Sequence, residues 1–273
     1  MLRSMFAGVS GLRSHQTMMD VVGNNISNVN TAGYKSSRAT FQEALTQVTR
    51  GATAPIAGQN GGVNPMQIGL GTRVASIDGV FTQGAMQDTG RATDVTISGE
   101  GFFVVRLPGQ NQDYFTRAGA FSWDAPDATG MSRLVGPNGE RVQAVGGGDI
   151  TVDTGDYADI TIGTDGVITG RNKTTGVLEP LGTIAVATFA NPNGLLRVGN
   201  SLFAASANSG AADIGAPNAD GRGSLQAGTL EMSNVDLAQE FTNLIMAQRG
   251  FQANARTITT SDEMLSELVN IKR

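Results

Sequence analysis

The chain contains no cysteine and a single histidine, His15, in 273 residues. Disulfides and thiolate metal sites are therefore excluded. His15 would have to serve in any Ser-His-Asp triad and in most zinc sites; beside Gln16 on a helical pattern it reads as a polar helix position. Charge is scarce, at 16% against roughly 25% in an average soluble protein. Aromatic residues make up 5%, and the 19 basic residues are scattered over a chain of net charge -5. That pattern carries no electrostatic footprint for nucleic acid. No run of about 18 apolar residues exists to insert in a membrane as a helix. The N-terminus lacks the run of about seven apolar residues of a cleaved signal peptide.

Chemistry at a site is equally thin. Asp149, Asp153, Asp156, Asp159 and Asp165 are frequent, but not at EF-hand spacing with a distal Glu. Gly99-Glu100-Gly101 lacks the third glycine and following helix of a dinucleotide fingerprint. Asp124 and Asp127 fall in a loop pattern, a poor scaffold for paired carboxylates. No catalytic, metal-binding or cofactor-binding residue is assigned, and the chain is not read as an enzyme.

What is present is 40% hydrophobic residues and 37 glycines, arranged in zones. In residues 1–45, Leu2, Met5, Val9, Leu12, Met19, Ile26 and Val29 follow helical steps of three and four, a heptad seam. In residues 230–273, Leu237, Phe241, Leu244, Phe251, Ile258 and Leu265 do the same, with Asp262 as the polar interruption. Ser233 or Asn234 is a candidate N-cap. The second helix is predicted to run about 35 residues, on the order of 50 Å, closed by Lys272 and Arg273 against the helix dipole. Residues 46–92, rich in Gly, Ala and Thr, read as an extended linker. Residues 93–229 alternate short β-type runs with turn signals at Pro137-Asn138-Gly139, Asp165-Gly166 and Asn193-Gly194. The fold class is α+β: long N- and C-terminal helices pairing as a coiled coil, and a central, mainly antiparallel β domain. Each helix carries one narrow apolar seam that a lone helix cannot bury, so the two ends are expected to pair. Gly8, Gly11 and Gly23 each cost a helix about 1 kcal/mol relative to Ala, so the pair is expected to be marginal without neighbouring copies.

Certain stretches are recognisable. Asn24 to Lys35 (NNISNVNTAGYK), with Asn24, Asn25, Asn28, Asn30 and Gly33 as its signature, resembles the N-terminal motif of bacterial flagellar rod and hook proteins. Leu230 to Leu237 (LEMSNVDL), Ala247 to Gln252 (AQRGFQ) and Thr259 to Leu265 (TTSDEML) are similar to the family's C-terminal motifs, in their hook version. Gly90 to Phe103 matches the segment that opens its β domain. The resemblance implies a subunit that self-assembles into a helical tube: the hook, a universal joint between motor and filament, or alternatively the distal rod. It implies export without a cleaved signal through the flagellar type III apparatus, and a final place outside the cell in the hook and basal body. Implied partners are second copies, the distal rod protein, the hook cap and the hook-filament junction proteins. Phe41 and Leu45 fit the form of an export-gate signal in related subunits. The chain has room for a single β domain, whereas many hook proteins carry a further one.

Overall fold

The computed structural model describes residues 2–55, 61–110, 112–127 and 130–271. The chain divides into two compact units. The first holds residues 1–27, 37–79 and 236–273, and the second holds residues 28–36 and 80–235.

The first unit contains two helices, α1 (Leu2–Ser27) and α2 (Leu237–Ile271). Helix α2 has the predicted 35 residues. Its N-cap is Asp236 rather than Ser233 or Asn234: Asp236 Oδ1 accepts from the backbone N–H of Ala238 at 2.8 Å and of Gln239 at 3.3 Å, which satisfies donors the first turn leaves open. Lys272 and Arg273 lie outside the described residues. Helix α1 stops at Ser27, short of the helical segment to 45 expected from sequence. Asn28, Val29 and Asn30 form a turn, because Asn competes for backbone hydrogen bonds and breaks helices.

The described part of residues 37–79 in this unit includes four strands, where residues 46–92 were expected to form an extended linker. Strand β1 (Ser37–Glu43) pairs antiparallel with β4 (Thr72–Gly79). Between them, β2 (Thr46–Arg50) pairs with β3 (Met66–Gly69). Neither face of the β2–β3 ladder is buried, although Val48, Met66 and Ile68 lie in it. The irregular appearance of this stretch in the sequence reflects that lack of burial: with no core face there is no alternation of apolar and polar residues.

The second unit is all β, and its described ladders are antiparallel. Strands β5 (Met86–Asp88) and β6 (Val95–Ser98) pair with Thr229–Glu231 and Ser224–Ala227. Strands β7 (Phe102–Arg106) and β8 (Asp113–Thr116) lie in the middle of a ten-stranded sheet, and Tyr157–Ile162, Val167–Asn172 and Leu178–Thr183 form a separate three-stranded one. Strand β7 is the central element because it is buried on both faces. Phe103 and Val105 enter one apolar cluster with Val95, Ile97, Phe121 and Leu134. Phe102 and Val104 enter another with Phe115 and Phe203. The period of two along a strand sends alternate residues to opposite sides. Edge-to-face rings stiffen both clusters, with Phe103–Phe121 centroids 5.1 Å and Phe115–Phe189 centroids 4.7 Å apart. Of the predicted turns, those at Gly139 and Gly166 take φ of 80° and 78°, the left-handed region glycine tolerates. Asn193-Gly194 instead closes a short 3-10 helix, Pro192–Gly194.

Candidate assembly site

The helix pair of the first unit is antiparallel and in step. Ser4 Oγ meets Ser261 Oγ at 3.4 Å, Gly8 faces Thr257 and Ile258, Gly11 faces Asn254, and Gly250 faces His15. At the far end Asn25 hydrogen-bonds Glu240. Each advance along α1 is matched by an equal retreat along α2. The contacts are made by small residues. A Cβ on Gly11 would stand 2.7 Å from Asn254 Oδ1, and one on Gly250 would clash with the edge of the His15 ring. The backbones approach because nothing larger intervenes, which is how small residues pack helices closely. Gly8, Gly11, Ser14, Val22 and Asn25 of α1 are buried, as are Ala247 and Ser261 of α2.

Of the large residues of the predicted seams, Ile258 faces Gly8, but none is fully buried among the described side chains. Met5, Leu12, Met19 and Ile26 on α1 are half-buried, as are Leu244, Phe251, Ile258 and Leu265 on α2, while Val9, Leu237 and Phe241 are exposed. Leu2 opens α1, and Val29 is half-buried in the turn of the second unit. Phe6 is 71% exposed and Phe241 50%. A chain of this composition leaves broad apolar area uncovered on its helices, and such patches mark interaction surfaces. Phe41 sits on β1 with its ring 6.1 Å from that of His15. Leu45, in the connection to β2, is 83% exposed.

The Asn signature divides by role. Asn25 is fully buried and makes a two-way bond with the start of β1: its Nδ2 donates to the Ser37 carbonyl at 2.8 Å and its Oδ1 accepts from Ser37 N at 2.9 Å. It therefore fastens α1 to the β1–β4 ladder. Asn24 and Asn30 are exposed, and Asn28 Oδ1 accepts from Thr31 Oγ1 at 3.1 Å. Beside Asn25, burial raises the Glu240 carboxyl above its ordinary value; the Asn25 hydrogen bond opposes that and the charge of Asp236 adds to it.

Within the second unit, the recognisable end segments meet at a buried charge cluster. Lys35 Nζ donates to Glu231 Oε1 at 2.6 Å and to the Thr82 carbonyl at 2.8 Å. Arg117 donates to Glu231 Oε2 at 3.4 Å and to the Gly99 carbonyl at 2.9 Å. Gly84 N–H adds a bond to Glu231 Oε1 at 2.9 Å. Lys35 and Glu231 are 1% exposed and Arg117 4%. Burial lowers the Lys35 ammonium from its usual value against the pull of Glu231, with Arg117 adding to the lowering. The Arg117 guanidinium is lowered by burial too. Gly33 permits the approach: it takes φ of 68°, its N–H donates to the Glu231 carbonyl at 2.7 Å, and a Cβ there would lie 2.6 Å from the Arg117 carbonyl carbon. Asn234 binds alongside, accepting from Ser36 N at 2.8 Å and donating to the Val80 carbonyl at 2.8 Å. Pattern reading missed this cluster. Its one signal was the presence of Lys35 and Glu231 inside the recognisable motifs of a chain poor in charge.

In the acidic stretch noted in the sequence, Asp149 is held by arginine. Asp149 accepts from Arg141 at 2.8 Å and Gln143 at 2.8 Å. Burial pushes its carboxyl up, but those hydrogen bonds outweigh it and hold the group below the usual carboxylate value. Among the described residues no helix is long and apolar enough to cross a membrane.

Three family descriptions match along the chain: "Flagella basal body rod protein" at residues 5–35, "Flagellar hook protein FlgE/F/G D1 domain" at 96–170, and "Flagellar basal body rod FlgEFG protein C-terminal" at 226–271. The flagellar basal-body rod protein FlgG of Bacillus subtilis is 45% identical over 278 aligned positions, with both chains covered in full. The chain belongs to the flagellar rod and hook family. FlgG of Borreliella burgdorferi is 36% identical over 275 positions, again with both chains covered in full. The flagellar hook protein FlgE of the same organism is 30% identical over 445 positions, also end to end. The hook alignment thus contains at least 172 positions with no residue of this chain, 445 less 273. The preference for hook drawn from the terminal motifs is not what these comparisons favour: similarity is higher, and length matches, on the rod side. Members of this family are structural subunits of the flagellum that polymerise into helical assemblies.

Proposed function

We propose that the chain is a distal rod subunit of the flagellar basal body, self-assembling head to tail into a helical tube. The observation that carries the reading is the full-length match to rod proteins over 278 and 275 positions, without the long additional segments the hook alignment contains. The geometry supports polymerisation. The helices leave large apolar residues uncovered, and the β2–β3 ladder buries neither face, although an isolated two-stranded hairpin is marginal in water. Both features call for neighbours. Heterologous contacts that do not close give open filaments. On this reading the partners are second copies and, beyond the rod, hook subunits. The chain travels through the type III export apparatus without cleavage, and Phe41 and Leu45, both exposed, are the export-gate contact.

Electron microscopy of flagellar basal bodies from a strain lacking this gene alone tests the reading. A rod truncated before its distal part, with the hook missing as a consequence, is expected. A complete rod that lacks only the hook would overturn the distal rod assignment in favour of hook.

A further inference from the structure

We propose that the C-terminal tip of α2 in one copy seats in a groove between α1 and β4 of the next, and that this contact is one of the repeating joints of the polymer. The inference rests on the polymer reading above and names the surfaces that meet.

The groove encloses about 480 Å³. Phe6, Val9 and Val74 supply its apolar lining, and Arg13 and Arg73 its charge. It is preformed, because hydroxyls tie its walls: Thr72 N–H donates to Ser10 Oγ at 3.2 Å, and Thr72 Oγ1 to Ser14 Oγ at 3.4 Å. Neither arginine has a carboxylate partner among the described residues. The polar partner of Arg73 is the neutral amide of Gln42. Phe6, 71% exposed, shares this lining with two unneutralised guanidinium groups.

The tip has the complementary chemistry. Ser4 of α1 faces Ser261 of α2, and α1 begins at Leu2, so the last two turns of α2 run past the described start of α1. Glu263, Glu267 and Ile271 stand four residues apart in one row, and Met264 and Leu268 form the neighbouring row, so the five share one broad face. Met264 and Leu268 are each 51% exposed and Ile271 79%. Neither glutamate ion-pairs among the described residues. Leu268, seven residues after Ser261, continues the side of α2 that meets α1, beyond the described start of α1. A continuous helix held in that register cannot bring its end back to its own groove. The occupant is therefore a second copy, whose carboxylates reach the arginines while Met264, Leu268 and Ile271 cover Phe6 and Val9. Tip and groove are different surfaces, so the joint is heterologous and propagates.

The absence of cysteine makes thiol cross-linking clean. In rods isolated from cells producing the Val9→Cys, Leu268→Cys double variant, mild oxidation is expected to give a ladder of covalent multimers, with none from either single variant. In parallel, R13E with R73E, and E263R with E267R, are each expected to lower assembled rod by about tenfold or more, since like charges across an interface repel strongly. The chain carrying all four reversals is expected to recover assembly. Rods that form without a ladder, or that form normally with R13E and R73E, would overturn this joint and leave the polymer reading standing. Absence of this chain from rods of the unaltered strain would overturn both.

Discussion

Glu231 neutralises two buried cations at once, which predicts a strong asymmetry between the substitutions Glu231→Gln and Lys35→Met. Glu231→Gln keeps shape but leaves Lys35 and Arg117 facing each other in a site where both are almost fully buried. Breaking a buried pair by removing one partner costs about 3–5 kcal/mol. Lys35→Met leaves Arg117 on Glu231 and forfeits the bond to the Thr82 carbonyl, a loss of about 1–2 kcal/mol. That acceptor retains the amide of Asn234 at 3.2 Å. The single tryptophan, Trp123, packs against the main cluster of this unit, so its fluorescence during urea unfolding reports this unit. With a slope of about 2 kcal/mol per molar urea, Glu231→Gln should lower the midpoint by about 1.5–2.5 M, and Lys35→Met by less than about 1 M. The pH dependence follows from Lys35. Its value is lowered by burial, so the unfolded chain holds the proton more tightly than the folded one. Stability therefore rises with pH between the depressed folded value and 10.5, where the unfolded state binds more protons. Lys35→Met should lack that rise. Equal midpoints for the two variants, or a Glu231→Gln midpoint above that of Lys35→Met, would refute the account.

Four further substitutions test the first unit. Gly11→Ala places a Cβ against Asn254 and should destabilise the helix pair despite better helix propensity, whereas Gly23→Ala meets nothing within 4 Å and should stabilise it by about 1 kcal/mol; circular dichroism melts of the helices separate the two. Asn25→Ala strips both bonds from Ser37, a loss of about 1–3 kcal/mol, and amide exchange at Ser37 should quicken about 10- to 100-fold. Glu240 has a carboxyl raised by burial, so the folded state binds its proton more readily and stability falls as pH rises from 4.5 through the folded value. Glu240→Gln should remove that fall and melt higher at pH 7.

Much of the fold was legible where local chemistry decides. The length of α2 followed from its periodicity, and Gly139 and Gly166 marked turns because few other residues take positive φ. The helix interface was less legible for a physical reason. A heptad count weighs large apolar residues, but this interface selects for what lets backbones touch, namely Gly8, Gly11, Gly250 and Ser261. Phe241 and Val9, which carry the apolar signal, are exposed. His15 shows the same limit: it read as a polar helix position, yet it packs on Gly250 because glycine leaves room for the ring. Residues 46–92 read as a linker in part because the uncovered β2–β3 ladder has no alternation to display. Of the buried charge cluster, nothing in local pattern joins Lys35 to Glu231 across the chain.

That separation has a kinetic side. Lys35 and Glu231 stand 196 residues apart in sequence, and contacts that close long loops slow folding. A chain that emerges end first, from a ribosome or from any narrow conduit, presents Lys35 early and Glu231 almost last. Until then strand β5 lacks its partner Thr229–Glu231 and strand β6 lacks Ser224–Ala227. The β unit is thus timed by its own topology: it stays open for nearly the whole of its delivery and closes only when the last segment before α2 arrives.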